Sequence, residues 1–506
     1  MKSATGRTRE APLEIGVDEF RAIGHALIDR LADFLDTMPH GPVTHDATPA
    51  SLRPQLGPAK LPDRGDAADR LVAEAAELLI RHSLFNGHPR FWGFITSSAA
   101  PIGAFADLIG ASVNPNLGAW ILSPVASEIE RQTVRWIADL TGFPSNCGGL
   151  LVSGGNIANL VGFWVGRRVK TPWNLRETGY DESGVPVGVY ASRETHTWIQ
   201  KAADLSGLGT NAIRWIEPRH QRMDADALRR QIESDKQAGL LPMLVVGTAG
   251  TVSTGAIDPL PEIAQLCREY DLWFHVDGAY GAPAAALPES PDELKALSMA
   301  DSLAIDPHKW LYAPLEAGCA LVRDATLLRD TFSFHPPYYP EAQEATDDAP
   351  IYYHEFGPQN SRGFRALKVW LGLRQAGRDG LVAMIRDDIA LAHRMFELAR
   401  DHDELEAFTI GLSIATFRYV PRDVSPGSAS ADAYVDTLNR EILDRMQKGG
   451  EAFVSNAVID DRFLLRACVV NFRTTATDVE ALIDLVVRLG RQVHGELSQG
   501  SGPPVS

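Results

Sequence analysis

A chain of 506 residues, 45% hydrophobic and 22% charged, has the makeup of a soluble globular protein with two or three structural regions, and excludes a disordered or fibrous one. Its formal net charge of −17, with Lys and Arg spread along the chain rather than in blocks, argues against a nucleic-acid partner. No run approaches the roughly eighteen apolar residues of a membrane span, residues 1–12 are polar and basic, and Cys147, Cys267, Cys319 and Cys468 show neither a paired nor a zinc-like spacing, so a cytoplasmic protein without a metal is expected.

In chain order, Phe20, Ile23, Leu27, Leu31 and Leu35 fall on one helical stripe, followed by a Pro-rich loop over 39–62. Such an arm has too little surface to fold alone and is expected to pack on the body or on a second subunit. From about 85 to 330, short apolar runs alternate with amphipathic helices, the pattern of a mostly parallel sheet covered on both faces. Strands are expected at 188–190, 213–216, 243–246, 272–276, 302–305 and 320–322, and helices at 126–141, 157–168, 224–237 and 261–270. Periodicity disappears between Phe332 and Pro358, which reads as a long loop. Helices near 362–376 and 382–400, a strand at 414–419, a helix at 431–447, a strand at 464–469 and a helix at 477–496 complete the chain. The divisions expected are an arm over 1–84, a large α/β region over 85–376, a small α+β region over 377–497 and a disordered tail over 498–506.

Several chemistry-bearing residues stand where the chain leaves an expected strand. Lys309 lies in Ile305-Asp306-Pro307-His308-Lys309-Trp310, at the sheet edge where open α/β folds bind ligands. Alone it reads as a solvated surface lysine, but His308 and Trp310 make it a poor one and a candidate nucleophile. Asp277 ends the apolar run 272–276, where a buried carboxylate needs a cationic partner, although a turn or helix-capping aspartate fits the same pattern. Ser153-Gly154-Gly155-Asn156 leads into a helix and suits a phosphate, or is an ordinary capped loop. Gly250-Thr251-Val252-Ser253-Thr254-Gly255 is a second small-residue turn, and His196 is a candidate for ring stacking and proton handling. In combination they supply the parts of a pyridoxal 5′-phosphate (PLP) site: a lysine for the imine, an acid for the pyridine nitrogen, an anion cradle and a group against the ring.

The ordered set of Ser-Gly-Gly-Asn, His196, Gly250-Thr251, Val276-Asp277-Gly278-Ala279-Tyr280 and Asp306-Pro307-His308-Lys309-Trp310 resembles the PLP-dependent group II amino-acid decarboxylases. Within them it looks most like the aromatic-L-amino-acid decarboxylases, from the arm through His88-Pro89-Arg90-Phe91 and Ser123-Pro124 to about Arg386. The resemblance implies a type I aminotransferase-like α/β fold with a mostly parallel seven-stranded sheet, a helical N-terminal arm and a small α+β C-terminal domain. It also implies a homodimer with active sites at the subunit interface.

Carried over, it makes Lys309 the imine lysine, Asp277 the pyridine partner and His196 the ring-stacking group, with Ala279 under the ring. Gly155 and Asn156 match phosphate-contacting positions, His308 joins the cofactor set, Thr96 and Thr251 match positions near cofactor or substrate, and Trp120 and Ser361 match the substrate pocket. Tyr338 aligns with the loop tyrosine that, in the family, protonates the substrate α-carbon after carbon dioxide leaves, in the partner's site. The implied reaction converts an L-amino acid, aromatic by this resemblance (tyrosine, DOPA, tryptophan or phenylalanine-like), to its amine, with Ser361 leaning toward phenolic substrates. Its alternatives are a non-aromatic substrate or decarboxylation coupled to aldehyde synthesis. Three departures stand out: Asp306 where many members have Asn against the phosphate, Gly93 in place of a pocket aromatic, and an extra residue within 113–117.

Overall fold

The computed structural model describes residues 11–45, 47–180, 184–334 and 349–500. Seven strands form the main sheet in the spatial order Gly148–Val152, Gly318–Val322, Ser302–Ile305, Trp273–Asp277, Leu241–Thr248, Val187–Ser192 and Ile213–Ile216. Gly318–Val322 is antiparallel to both neighbours and every other pairing is parallel, which is the mostly parallel α/β sheet expected. The strands read as continuous apolar runs because both faces are covered. Successive side chains alternate between faces: Leu244, Val246 and Trp273 join one core, while Val245, Phe274 and Val276 join the other. The edge strand Gly148–Val152, not among the strands expected from the sequence, completes the seven.

Register decides where the chemistry sits. Thr248 lies opposite Asp277 and Asp277 opposite Ala304, so neighbouring parallel strands end together and their following loops converge on one edge. Val152, Ser192, Thr248, Asp277 and Ile305 are the last residues of their strands.

Local signals set the helix ends. Pro124 opens the helix Pro124–Thr141, and Gly142, left-handed at φ 70°, closes it. The helices expected at 362–376 and 382–400 both form, within Ala366–Arg400, and are separated by a kink at Gly377, whose φ of 65° suits glycine. Beyond that break, Ala392, Met395 and Ala399 pack on a second sheet ordered Phe91–Trp92, Phe453–Ile459, Arg462–Cys468, Ile414–Tyr419 and Leu405–Gly411.

Two expectations are corrected here. Phe91 and Trp92, assigned to the large region, pair in parallel with Phe453 and Val454 in the C-terminal sheet. The tail expected to be disordered from Ser498 is helical at Ser498 and Gln499, because Ala476–Gly500 carries Val479, Leu482, Val486 and Val493 into the second core and its last turns continue that helix.

At the other end of the chain, Val17–Thr37 packs against Ala68–His82 and buries none of its own side chains; Val17 is 73% and Phe20 58% exposed. No helix among the described residues is long and apolar enough to cross a membrane.

Candidate active site

The loops at the shared strand edge enclose a cavity of about 340 Å³, lined by Gly155, Asn156, His196, Asp277, Ala279, His308 and Lys309 among others. Seven residues singled out from the sequence thus meet in one place. Each ends a buried strand or stands in the turn or helix start that follows one, so the sheet holds them in place.

Lys309 stands in the turn after Ser302–Ile305, fixed by its own N–H donating to the Asp306 carbonyl at 2.8 Å. Its Nζ lies 3.0 Å from Asp306 Oδ2. Trp310, next in the chain, is fully buried and stacks on Tyr280 with ring centroids 4.9 Å apart. Trp310 Nε1 donates to Asp388 Oδ2 at 2.9 Å and the Tyr312 hydroxyl donates to the same oxygen at 2.6 Å. Burial pushes the Asp388 carboxyl up to about 7 against the pull of these donors and of the Asn471 N–H. Asp388 belongs to the helix beyond Gly377, so it ties the lysine-bearing segment to the C-terminal part of the chain.

Asp277 is buried, and both carboxyl oxygens are oriented. Oδ2 accepts from Trp198 Nε1 at 2.7 Å and Oδ1 from the Ala279 N–H at 3.1 Å. These two donors fix the direction of the carboxyl, as a partner for a pyridine nitrogen requires. Beside it, His275 is fully enclosed between Asn159 Oδ1 and Ser302 Oγ, each 2.7 Å from a ring nitrogen, and burial lowers its pKa to about 4. It is therefore a neutral structural ring. Asn159 in turn donates to the Gly155 carbonyl at 2.9 Å, which ties the glycine turn to the sheet.

His196 stands at the rim, with Nδ1 accepting from the Trp198 N–H at 3.3 Å, so the neutral ring carries its proton on Nε2. Desolvation on its walled side lowers its pKa against the attraction of Asp277, so the ring is neutral at neutral pH.

The anion cradle is the start of the helix Gly155–Lys170. Gly154 is left-handed at φ 88° and lies against His308, and a Cβ on Gly155 would stand 2.5 Å from Asp306 Oδ2. A helix start leaves its first N–H groups without helical partners and favours an anion there. Thr248 Oγ1 and Asp306 Oδ1 are buried with no hydrogen-bond partner among the described residues, as expected of a site shaped for a polar ligand. A lysine, an oriented buried carboxylate, a small floor at Ala279 and a glycine cradle fit PLP.

Not every sequence-predicted residue lines the cavity. Gly250 does, while Thr251 is buried behind it with Oγ1 bonded to Thr254 at 3.0 Å. Ile95 lines it and its neighbour Thr96 does not. Trp120 and Ser361 lie on adjoining loops outside the cavity, joined where the Leu117 N–H donates to the Arg362 carbonyl at 3.0 Å. Tyr338 lies outside the described residues. Of the noted departures, Asp306 faces the cradle, and a Cβ on Gly93 would meet the Phe453 ring at 2.4 Å, so packing against the second sheet explains that glycine. Trp198, Asn159 and Asp388 were not found from the sequence; each acts through a partner at least 78 residues away, and no local pattern marks them.

The model of the pyridoxal-dependent decarboxylase conserved domain matches residues 49–420. An aromatic-L-amino-acid decarboxylase of Bacillus atrophaeus is 32% identical over 95% of this chain and 97% of its own length. A 4-hydroxyphenylacetaldehyde synthase of Rhodiola rosea is 27% identical over 92% of this chain and 94% of its own. Among solved structures, Oryza sativa TDC with PLP and tryptamine superposes with a TM-score of 0.87 at 27% identity, covering 96% of this chain and 99% of that one. The chain belongs to the pyridoxal-dependent decarboxylase family, and is a PLP-dependent carboxy-lyase acting on an amino acid.

Proposed function

We propose that this enzyme converts an aromatic L-amino acid to its amine and carbon dioxide, with Lys309, Asp277, His196 and Tyr338 as its catalytic residues. The observation that carries the reading is the convergence of Lys309, the doubly oriented Asp277 and His196 on one cavity, in a chain similar over nearly its whole length to an aromatic-L-amino-acid decarboxylase.

PLP, when bound, supplies an electron sink for the pair left behind as the Cα–carboxylate bond breaks. Lys309 would hold the cofactor covalently through its side-chain amine, at the place the substrate amine takes during reaction. Asp277, oriented by Trp198 Nε1 and the Ala279 N–H, would face the pyridine nitrogen and favour its protonated form. His196 covers the ring face and, neutral with its proton on Nε2, can donate one hydrogen bond toward the substrate. Gly155, Asn156 and His308 would hold the phosphate, Ala279 would leave room for the ring plane, Thr251 would back the cofactor from behind Gly250, and Thr96, next to Ile95, would serve the substrate. Tyr338 delivers the proton to the substrate α-carbon.

Trp120 and Ser361 serve the neighbouring subunit's substrate pocket in a homodimer with active sites at the interface. Supporting this, the loop carrying Trp120 is flanked by exposed Ile121, Leu122 and Val125, and the adjacent helix Pro101–Val113 exposes Phe105, Leu108 and Ile109. Apolar exposure on that scale suits an oligomer contact. The N-terminal arm, with Val17 and Phe20 exposed, adds to it. Four free cysteines, three of them buried, agree with a reducing, cytoplasmic setting.

Screening tyrosine, DOPA, tryptophan, phenylalanine, histidine and glutamate for carbon dioxide release tests the substrate class. Release confined to histidine or glutamate overturns it. The aldehyde synthase relative keeps one second reading open, oxidation coupled to decarboxylation. Amine formed in step with carbon dioxide supports the simple decarboxylase; aldehyde and peroxide in that ratio support the alternative.

A further inference from the structure

Among the described residues, Asp306, at the anion cradle, has Lys309 as its close cationic partner. The carboxyl is 2% exposed, Oδ2 lies 3.0 Å from Lys309 Nζ, and Oδ1 has no hydrogen-bond partner among the described residues. Only the missing side chain of Gly155, at the first turn of a 16-residue helix, lets Oδ2 approach the cradle; a Cβ there would be 2.5 Å away. His308 Nε2 is 3.8 Å from Oδ2, while its Nδ1 engages the Ala317 carbonyl at 2.7 Å. From other elements, His196 and Cys319 interact electrostatically with Asp306, and Glu194 and Glu316 line the same cavity.

The PLP reading creates a charge conflict here. Binding the cofactor by its aldehyde would join Lys309 Nζ to that carbon with release of water, so that no free ammonium would stand beside Asp306. The same event brings in a phosphate monoester, which carries between about −1.5 and −2 charges at neutral pH, with a second pKa near 6. Two anionic groups confined at one site cannot both stay fully ionised at contact distance. A proton held between them replaces the repulsion with a short, charge-assisted O–H···O bond.

We propose that Asp306 and the cofactor phosphate share a proton, so that the enzyme takes up one proton as it binds the phosphate and holds PLP less tightly as the pH rises. This inference rests on the assignment of the cavity to PLP. It makes Asp306 a cofactor-binding residue whose carboxylic form does what an asparagine amide would do at any pH.

Calorimetry of PLP binding to stripped and reloaded enzyme, in two buffers of different ionisation enthalpy at about pH 8, counts the protons taken up. Pyridoxal, which lacks the phosphate and shares the lysine chemistry, is the comparator. The expected result is about one more proton per site for PLP than for pyridoxal in the wild type, falling to near zero in Asp306→Asn. Above about pH 7 the wild type should lose roughly tenfold in PLP affinity per pH unit relative to that variant.

Equal uptake for PLP and pyridoxal in the wild type overturns the proposal, and this arm needs no variant to fold. Retention of the extra proton in Asp306→Asn, with its loss in His308→Gln, also overturns it by moving the proton to His308. Wild-type enzyme that binds neither compound contradicts the PLP assignment itself, whereas tight binding without the extra proton defeats this inference alone.

Discussion

Asp388→Asn is the substitution whose effect the structure defines most fully. In the folded protein the Asp388 carboxyl is raised to about 7, because burial outweighs the three donors around it. In the unfolded chain an aspartate titrates near 3.9. Between those values the folded protein keeps a proton that the unfolded chain has released, so stability falls as pH rises through that window. The penalty is absent below about pH 4, grows by about 1.4 kcal/mol per pH unit, and reaches about 4 kcal/mol once Asp388 ionises above about pH 7.

Asparagine is neutral at every pH and can accept from Trp310 Nε1 and the Tyr312 hydroxyl through Oδ1. Its amide faces the Asn471 N–H, another donor, at a cost that does not vary with pH. The stability of Asp388→Asn relative to the wild type should therefore climb by about 1.4 kcal/mol per unit from pH 5 to pH 7 and level off above it. Urea unfolding of the holoenzyme, followed by tryptophan fluorescence across that range, measures the difference. A difference that stays flat from pH 5 to pH 8 would refute the reasoning, since it would mean that folded Asp388 is already ionised at pH 5, as in the unfolded chain.

Other expectations concern the site and its support. Trp198→Phe removes the 2.7 Å donor to Asp277, worth about 1.5–3 kcal/mol for a bond to a charged group, and should weaken PLP binding by about tenfold or more in a titration followed by visible absorbance. Unchanged affinity would show that Trp198 does not hold the carboxylate. Gly155→Ala places a Cβ against Asp306 Oδ2 and should weaken PLP binding; adding Asp306→Ala should recover part of the loss, and no recovery would point to a clash with the phosphate itself. Arg362→Leu strands the fully buried Glu130, its ion-pair partner, and should cost about 3–5 kcal/mol in unfolding experiments; a variant as stable as the wild type contradicts the burial argument.

How much of this was readable in advance follows from how far each interaction reaches along the chain. Lys309, Asp277, His196 and Gly155 were legible because each follows an apolar run, and a run buried on both faces marks a strand whose end lies at the sheet edge. Ala279 and Asn156 came with them as neighbours. Trp198, Asn159 and Asp388 were not legible, since Trp198 and Asp277 are 79 residues apart and Trp310 and Asp388 are 78 apart. Phe91–Trp92 is too short to show a period, and its partner strand lies in the C-terminal sheet. The break between the helices expected at 362–376 and 382–400 was legible, and it falls at Gly377, whose φ of 65° no helix allows. Thr96, Trp120 and Ser361 rested on resemblance alone and fall outside the cavity of one chain.

The central claim is that Lys309 holds PLP. Borohydride reduction of the holoenzyme fixes the cofactor to whichever lysine carries it, and peptide mass spectrometry then reads the position. The account predicts a single pyridoxyl-modified peptide containing Lys309, lost in Lys309→Ala; modification of a different lysine, or of none, would contradict it.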